Sequence, residues 1–133
     1  MRYLIDTDYL IDRLGEDSQA VALIDRLADE GVALSIVSYL ELFEGVLRAT
    51  DREAAERKLD ALLDAMPLLP LSRSVAQRCA RIRSLLRDAG RRVNSRALDL
   101  LIAATAIENG LTLVTRNVAD YSDIGDLKLY DTA

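Results

Sequence analysis

Apolar positions recur along this chain at two periods, and the alternation between them divides the sequence into short strands and longer helices. Residues 2–5 predict a buried strand, and TDYLIDRL at 7–14 a short helix stopped by Gly15. Val21, Leu23, Ile24 and Leu27 stand at helical spacing within residues 18–30, ahead of Gly31. Residues 32–37 predict the second strand and residues 38–49 a helix. Another helix is expected over 52–65, with Leu59, Leu62 and Leu63 turned inward. Residues 68–71 carry Pro70 and follow Pro67, so they predict an edge strand, because proline has no N–H to give a central ladder. Within residues 74–89 the apolar set Val75, Cys79, Ile82 and Leu86 steps by four, three and four, which is one helix face, and Gly90 ends it. A helix over 97–109, closed by Gly110, feeds the strand LTLVT at 111–115, and residues 127–130 form a last strand. Strands alternating with helices predict an α/β fold: a three-layer α/β/α sandwich around a largely parallel central sheet. With 133 residues and no repeat or low-complexity linker, one domain over 1–133 is expected.

Composition narrows the chemistry. There is no histidine, so Ser-His-Asp and Cys-His catalysis, HExxH zinc sites and His-ligated haem are excluded. A single cysteine, Cys79, excludes an internal disulfide and a thiolate metal cluster, and its place on an apolar stripe makes it core. Polar catalysis therefore falls to carboxylates, hydroxyls and basic groups. No apolar run approaches the roughly 18 to 20 residues a bilayer span requires, and the opening MRYLIDTD meets acids too early for a signal peptide, so a soluble cytoplasmic protein without a membrane partner is expected. The net charge of −5 argues against nucleic acid until its distribution is considered. Between Arg73 and Arg96 lie eight arginines against the single acid Asp88, so an acidic body carries one basic strip. That strip, Arg83, Arg87 and Arg91 in particular, is a candidate for holding RNA phosphates, and equally a solvated helix face.

In a parallel sheet, ligands bind beyond the carboxyl ends of the strands, where the following helices begin. Asp6 directly follows the first strand, and Glu41 falls in the expected first turn of the helix after the second. Asp99 opens the helix that runs back before strand 111–115, and Asn117 and Asp120 follow that strand in TRNVAD. Four acids from distant positions thus converge on one edge. Carboxylates packed without cations repel one another, so the cluster makes physical sense mainly with a divalent metal. Oxygen-only ligation points to Mg²⁺ or Mn²⁺ and to metal-assisted phosphoryl chemistry.

Each acid also has a local explanation. Ser38-x-x-Glu41 has the form of a capping box, Asp99 can complement a helix dipole, and Asn117 with Asp120 can be an N-cap with an acid in the first turn. Asp8 and Asp12 are expected on a helix surface, with Asp8 within reach of the acidic edge through a water as the alternative. The helix bearing Leu40, Leu42, Phe43 and Val46 is too apolar for one buried stripe, which suits either a partner or dimer surface or a two-sided core contact.

The segments YLIDTDYLID, SYLELFEG, ALDLLIAATAIENGLTLVTRN and VADY resemble, in order and spacing, the PIN-domain ribonucleases, most closely the VapC toxins of bacterial toxin-antitoxin pairs. The resemblance covers almost the whole chain. It implies a PIN-like fold and an acidic site of Asp6, Glu41, Asp99 and Asp120, with Thr115 and Asn117 positioning the ligands. It also implies Mg²⁺-dependent endonucleolytic cleavage of RNA, a homodimer, and inhibition by a cognate VapB-like antitoxin. Tyr121 is a departure, since these proteins more often carry phenylalanine after the fourth acid.

Two other functions compete. Asp6-Thr7-Asp8 after a hydrophobic strand mimics the nucleophile motif of haloacid-dehalogenase-like phosphatases, but that chemistry needs a lysine near the phosphate, and only Lys58 and Lys128 exist. A catalytically inert module that binds RNA or an antitoxin is the non-enzyme alternative.

Overall fold

A computed structural model describes residues 1–131. Five strands, β1 (Tyr3–Ile5), β2 (Val32–Ser35), β3 (Leu68–Leu69), β4 (Thr112–Val114) and β5 (Lys128–Leu129), lie in the order β3-β2-β1-β4-β5, and every neighbouring pair is parallel. Tyr3 stands opposite both Val32 and Thr112, so β1 is central. β3 lies at an edge, as its flanking prolines require.

The side-chain alternation of the strands sorts the core into two halves. Leu4, Ala33 and Leu113 face α5 (Arg73–Asp88) and α6 (Ala97–Glu108), where Val75, Cys79, Ile82, Leu86 and Leu100 close the layer. Tyr3, Ile5, Val32, Leu34 and Val114 face the other way, onto α1 (Thr7–Leu14), α2 (Ser18–Ala28), α3 (Ile36–Arg48) and α4 (Arg52–Ala65). The result is the α/β/α sandwich expected from the alternation of elements. Leu100 and Ile102 to Ala106 are all buried, so α6 packs on nearly every side, which a parallel sheet sheathed by helices permits. Gly31 closes the turn into β2 at φ +92, and a Cβ there would sit 2.6 Å from the Met1 Cα, so both backbone conformation and space demand glycine. Among the described residues no helix is long and apolar enough to cross a membrane.

Three expectations are corrected. β2 ends at Ser35 and α3 begins at Ile36, not at Ser38. Ser35 is the N-cap: its hydroxyl accepts from the Ser38 N–H at 3.0 Å. The Ser38–Glu41 capping box therefore does not exist, and Glu41 lies in the second turn of α3. α2 ends at Ala28, two residues short of 30. A short helix, α7 (Val118–Tyr121), follows β4 where the N-cap reading of Asn117 puts a helix start, with Asp120 in its first turn. The apolar excess of α3 also resolves: Leu42 and Val46 are core, while Leu40 and Leu47 are exposed.

Candidate metal-dependent active site

The carboxyl ends of β1 and β4 bring the polar groups together. Asp6 continues β1, its N–H donating to the Val114 carbonyl at 2.9 Å, and then turns the chain into α1 as its N-cap. Its side chain is only 4% exposed and carries three hydrogen bonds. Asp6 Oδ1 accepts from the Thr7 N–H at 2.8 Å, and Oδ2 accepts from the hydroxyls of Thr115 (2.7 Å) and Tyr121 (3.2 Å). Burial pushes its carboxyl up to about 6, against the pull of the Thr115 hydroxyl, and the Asp8 charge adds to the rise.

Asp99, in the first turn of α6, also faces the Tyr121 hydroxyl. Burial holds its carboxyl above the ordinary range; the Tyr121 hydrogen bond opposes this and the Asp120 charge reinforces it. Tyr121 is buried, and its phenol is raised by burial first and then by the two carboxylates it faces. The hydroxyl thus stands between Asp6, to which it donates, and Asp99. Sequence reasoning treated Tyr121 only as a departure from phenylalanine, and a phenol in that place was the available signal.

Asp8 leaves the helix surface expected of it and, where a water-mediated reach was the alternative, meets residues 115–117 directly. Asp8 Oδ2 accepts from Thr115 Oγ1 (3.2 Å), the Arg116 N–H (3.0 Å) and Asn117 Nδ2 (3.1 Å), so it ties α1 to the end of β4. Burial raises its carboxyl, and the Arg116 N–H opposes the rise most. Asn117 is the N-cap residue of α7 by position, yet its side chain makes no cap bond and goes to Asp8 instead. Its N–H donates to Thr115 Oγ1 at 3.0 Å. Thr115 and Asn117 thereby fix the loop against the acids.

Glu41 reaches the same edge from α3. Thr7 Oγ1 stands 2.7 Å from Glu41 Oε1 and 2.8 Å from Ser38 Oγ, so a residue adjacent to Asp6 holds it. Asp120 lies in α7 and lines a cleft of about 370 Å³ with Arg91, Arg92, Arg96 and Asp99. Arg96 anchors that wall: it forms a two-armed pair with Asp123 (2.7 and 2.9 Å) and donates to the Asp120 carbonyl at 2.8 Å. The Arg96 hydrogen bond holds the Asp123 carboxyl below its usual value, against the upward push of burial. Arg83 donates to the Val93 carbonyl and Asn94 Oδ1, whereas Arg87 is exposed and Arg91 lines the cleft.

Among the described residues no three His, Cys, Asp or Glu side chains are grouped closely enough to enclose a metal ion. Mg²⁺ needs fewer, since it keeps several waters and takes one or two carboxylates. The donor chemistry fits: Asp6, Asp8 and Asp99 are raised by burial, and none is ion-paired to a basic side chain among the described residues. A phosphatase lysine is not at this edge, because Lys58 lines a groove between α1, α3 and α4, and Lys128 lies within β5.

Comparison with known proteins agrees with this geometry. The PIN domain family model matches residues 3–126. The chain is 31% identical to "Ribonuclease VapC19" of Mycobacterium tuberculosis, over 94% of this chain and 96% of that protein. It is 28% identical to "Ribonuclease VapC2" of Rickettsia felis, over 97% and 96%. Among solved structures, VapBC2 from Rickettsia felis bound to a promoter DNA fragment superposes with a TM-score of 0.89 at 26% identity, covering all of both chains. VapBC-5 from Mycobacterium tuberculosis gives 0.73 at 30% identity, with 98% of each chain covered. Fold, edge and sequence therefore converge, and the chain belongs to the PIN-domain family, among its VapC proteins.

Proposed function

We propose that this chain is the toxin of a VapBC-type pair, an endoribonuclease that hydrolyses RNA phosphodiesters with Mg²⁺ or Mn²⁺. One observation carries the reading: Asp6, buried at the end of the central strand and ion-paired to no basic side chain among the described residues, meets Asp99 across the hydroxyl of Tyr121. Asp6 and Asp99 would hold the ion, with Asp120 and Glu41 completing the acidic edge. When bound, the ion makes a water acidic at neutral pH and offsets charge on the departing oxygen. Thr115 and Thr7 orient Asp6 through its two oxygens, and Thr7 also fixes one oxygen of Glu41, leaving the other to hold a water or take up its proton. Thr115 and Asn117 keep the 115–117 turn against Asp8. Arg91 and Arg87 would steady the RNA backbone, and Arg83, though held by Val93 and Asn94, belongs to the same strip.

The solved relatives are toxin-antitoxin complexes, and we assign this chain an antitoxin partner as well. The apolar groove of about 580 Å³ between α1, α3 and α4, lined by Ile11, Leu14, Leu42 and Val46, is its candidate contact. A homodimer formed from one domain per chain, acting in the cytoplasm, completes the proposal.

The test is cleavage of single-stranded RNA by purified, antitoxin-free protein with Mg²⁺ or Mn²⁺. Activity should vanish with chelator and fall at least about a hundredfold, or roughly 2.7 kcal/mol in the barrier, in Asp99→Asn. Mn²⁺ should also raise the melting temperature of wild type and not of an Asp6→Ala, Asp99→Ala variant, since the ion binds the folded site and hardly the unfolded chain. Undiminished cleavage by folded Asp99→Asn would refute the site.

A further inference from the structure

A third cavity opens beside Arg116, just past the end of β4. It holds about 490 Å³ and is lined by Tyr9, Ala22, Arg26, Arg116, Tyr130 and Asp131 among others. Its floor is unusual. The Arg116 guanidinium lies 4.3 Å above the centre of the Tyr9 ring, and Nε donates to Asp12 at 2.8 Å, with a second arm 3.5 Å from Asp17. Three neighbours thus hold one guanidinium in a fixed plane, yet its side chain keeps 37% of its exposure. Sequence reasoning gave Arg116 no role. Cation–π contact and one ion pair suffice to anchor such a group, so the two acids and the ring together specify its orientation as well as its place.

The charge around the cavity decides what it takes. The Arg116 charge is already met by Asp12 and Asp17, and the remaining charged lining is one base and one acid, Arg26 and Asp131. A phosphate would gain little here. The cleft of Arg91 and Arg92, two arginines in no ion pair among the described residues, suits phosphate better. A planar, uncharged ring gains from a held guanidinium face backed by tyrosine, and the volume falls in the range of small-ligand pockets. The cavity also touches the acidic edge through one residue, because the Arg116 N–H donates to Asp8 at 3.0 Å. A base seated in the cavity would therefore leave its own sugar-phosphate beside the acids.

We propose that this cavity is a nucleobase subsite, in which the Arg116–Tyr9 stack receives one unpaired base of an RNA strand whose backbone crosses the acidic edge. The inference rests on the ribonuclease reading for its substrate class, and binding without cleavage tests it separately.

The experiment titrates protein in chelator with a short single-stranded RNA carrying 2-aminopurine, whose fluorescence falls on stacking. Wild type should bind and quench. Arg116→Lys keeps the charge and the reach to Asp12 but removes the plane, and should weaken binding about tenfold and abolish the quench, on the scale of one base–side-chain stack. Ala22→Phe, on the exposed face of α2, fills the cavity without removing a contact and should do the same while leaving the Mn²⁺-induced melting shift intact. Replacing the fluorescent base by an abasic residue should make wild type and Arg116→Lys bind alike. Wild-type affinity and quench in both variants, or no quench in wild type, overturns the subsite. Quenching that depends on Arg116 in a protein that cleaves no RNA would sustain the subsite and refute the ribonuclease.

Discussion

Asp6 concentrates the conflict on which the site depends. A carboxyl whose folded value is about 6 binds a proton that the unfolded chain releases near 4. Between those values the folded state carries more protons, so the metal-free protein loses stability as pH rises through this window and loses nothing further above it. Two units correspond to roughly 3 kcal/mol, an upper bound for a group that remains hydrogen-bonded. Asp6→Asn should therefore stabilise the metal-free protein by about 1 to 3 kcal/mol at pH 7.5 and by little at pH 4, measured by denaturant unfolding in chelator. A constant difference across that range would mean that Asp6 carries no raised proton affinity. The place of Asp6 at the end of the first strand was legible in the sequence, where a carboxylate ending an apolar strand has little packing purpose. What was not legible is Tyr121 and Asp8: their contacts join residues more than a hundred positions from one another, and no periodicity records them.

At the scale of elements, the long segments announced themselves and the junctions did not. α5 follows from Val75, Cys79, Ile82 and Leu86, each buried as its spacing requires. The end of β2 was misplaced because Ile36 and Val37, both β-branched, prolong an apolar strand pattern, while the stop is a single hydroxyl, Ser35, bonded to Ser38. α7 has four residues, too few for helical spacing to register. Yet α7 carries Asp120 and Tyr121, and its attachment rests on Arg96. The Arg96–Asp123 pair is mostly buried, at 14% and 22% side-chain exposure. Removing one partner leaves a charge in that setting, so Arg96→Gln should cost about 1.5 to 3 kcal/mol. Asp123→Asn should cost a similar amount, and the double variant less than the two together, because the second change removes the charge the first left unpaired. If α7 positions the acids, Arg96→Gln should also weaken the Mn²⁺-induced melting shift, which a purely peripheral ion pair would leave alone. Additive costs with an unchanged shift would make Arg96 a surface strut.

Taken as a whole, the molecule must bring a polyanion to an acidic edge while bearing a net charge of −5. Uniformly distributed, that charge would repel RNA; gathered arginines create a local exception. The three-layer architecture was legible from the alternation of elements, but which arginines stay available was not, because periodicity places a side chain on a face without revealing its partners. The structure separates them. Arg78 is engaged by Glu108 and Asp126, Arg83 by Val93 and Asn94, and Arg96 by Asp123, whereas Arg91 and Arg92 line the cleft beside Asp99 and Asp120. Each phosphate neutralised on a single strand contributes about 0.7 to the slope of log binding constant against log salt. Replacing Arg91 and Arg92 with glutamine should flatten that slope by about 0.7 to 1.4, measured with single-stranded RNA in chelator, and should leave folding stability unchanged within about 0.5 kcal/mol, as for other exposed sites. Arg83→Gln should show the reverse pattern: an unaltered slope and a stability loss of about 1 kcal/mol from the hydrogen bonds to Val93 and Asn94. An unchanged slope in the Arg91, Arg92 variant would move the phosphate path off this cleft, whereas a slope lost with Arg83 would place it along α5.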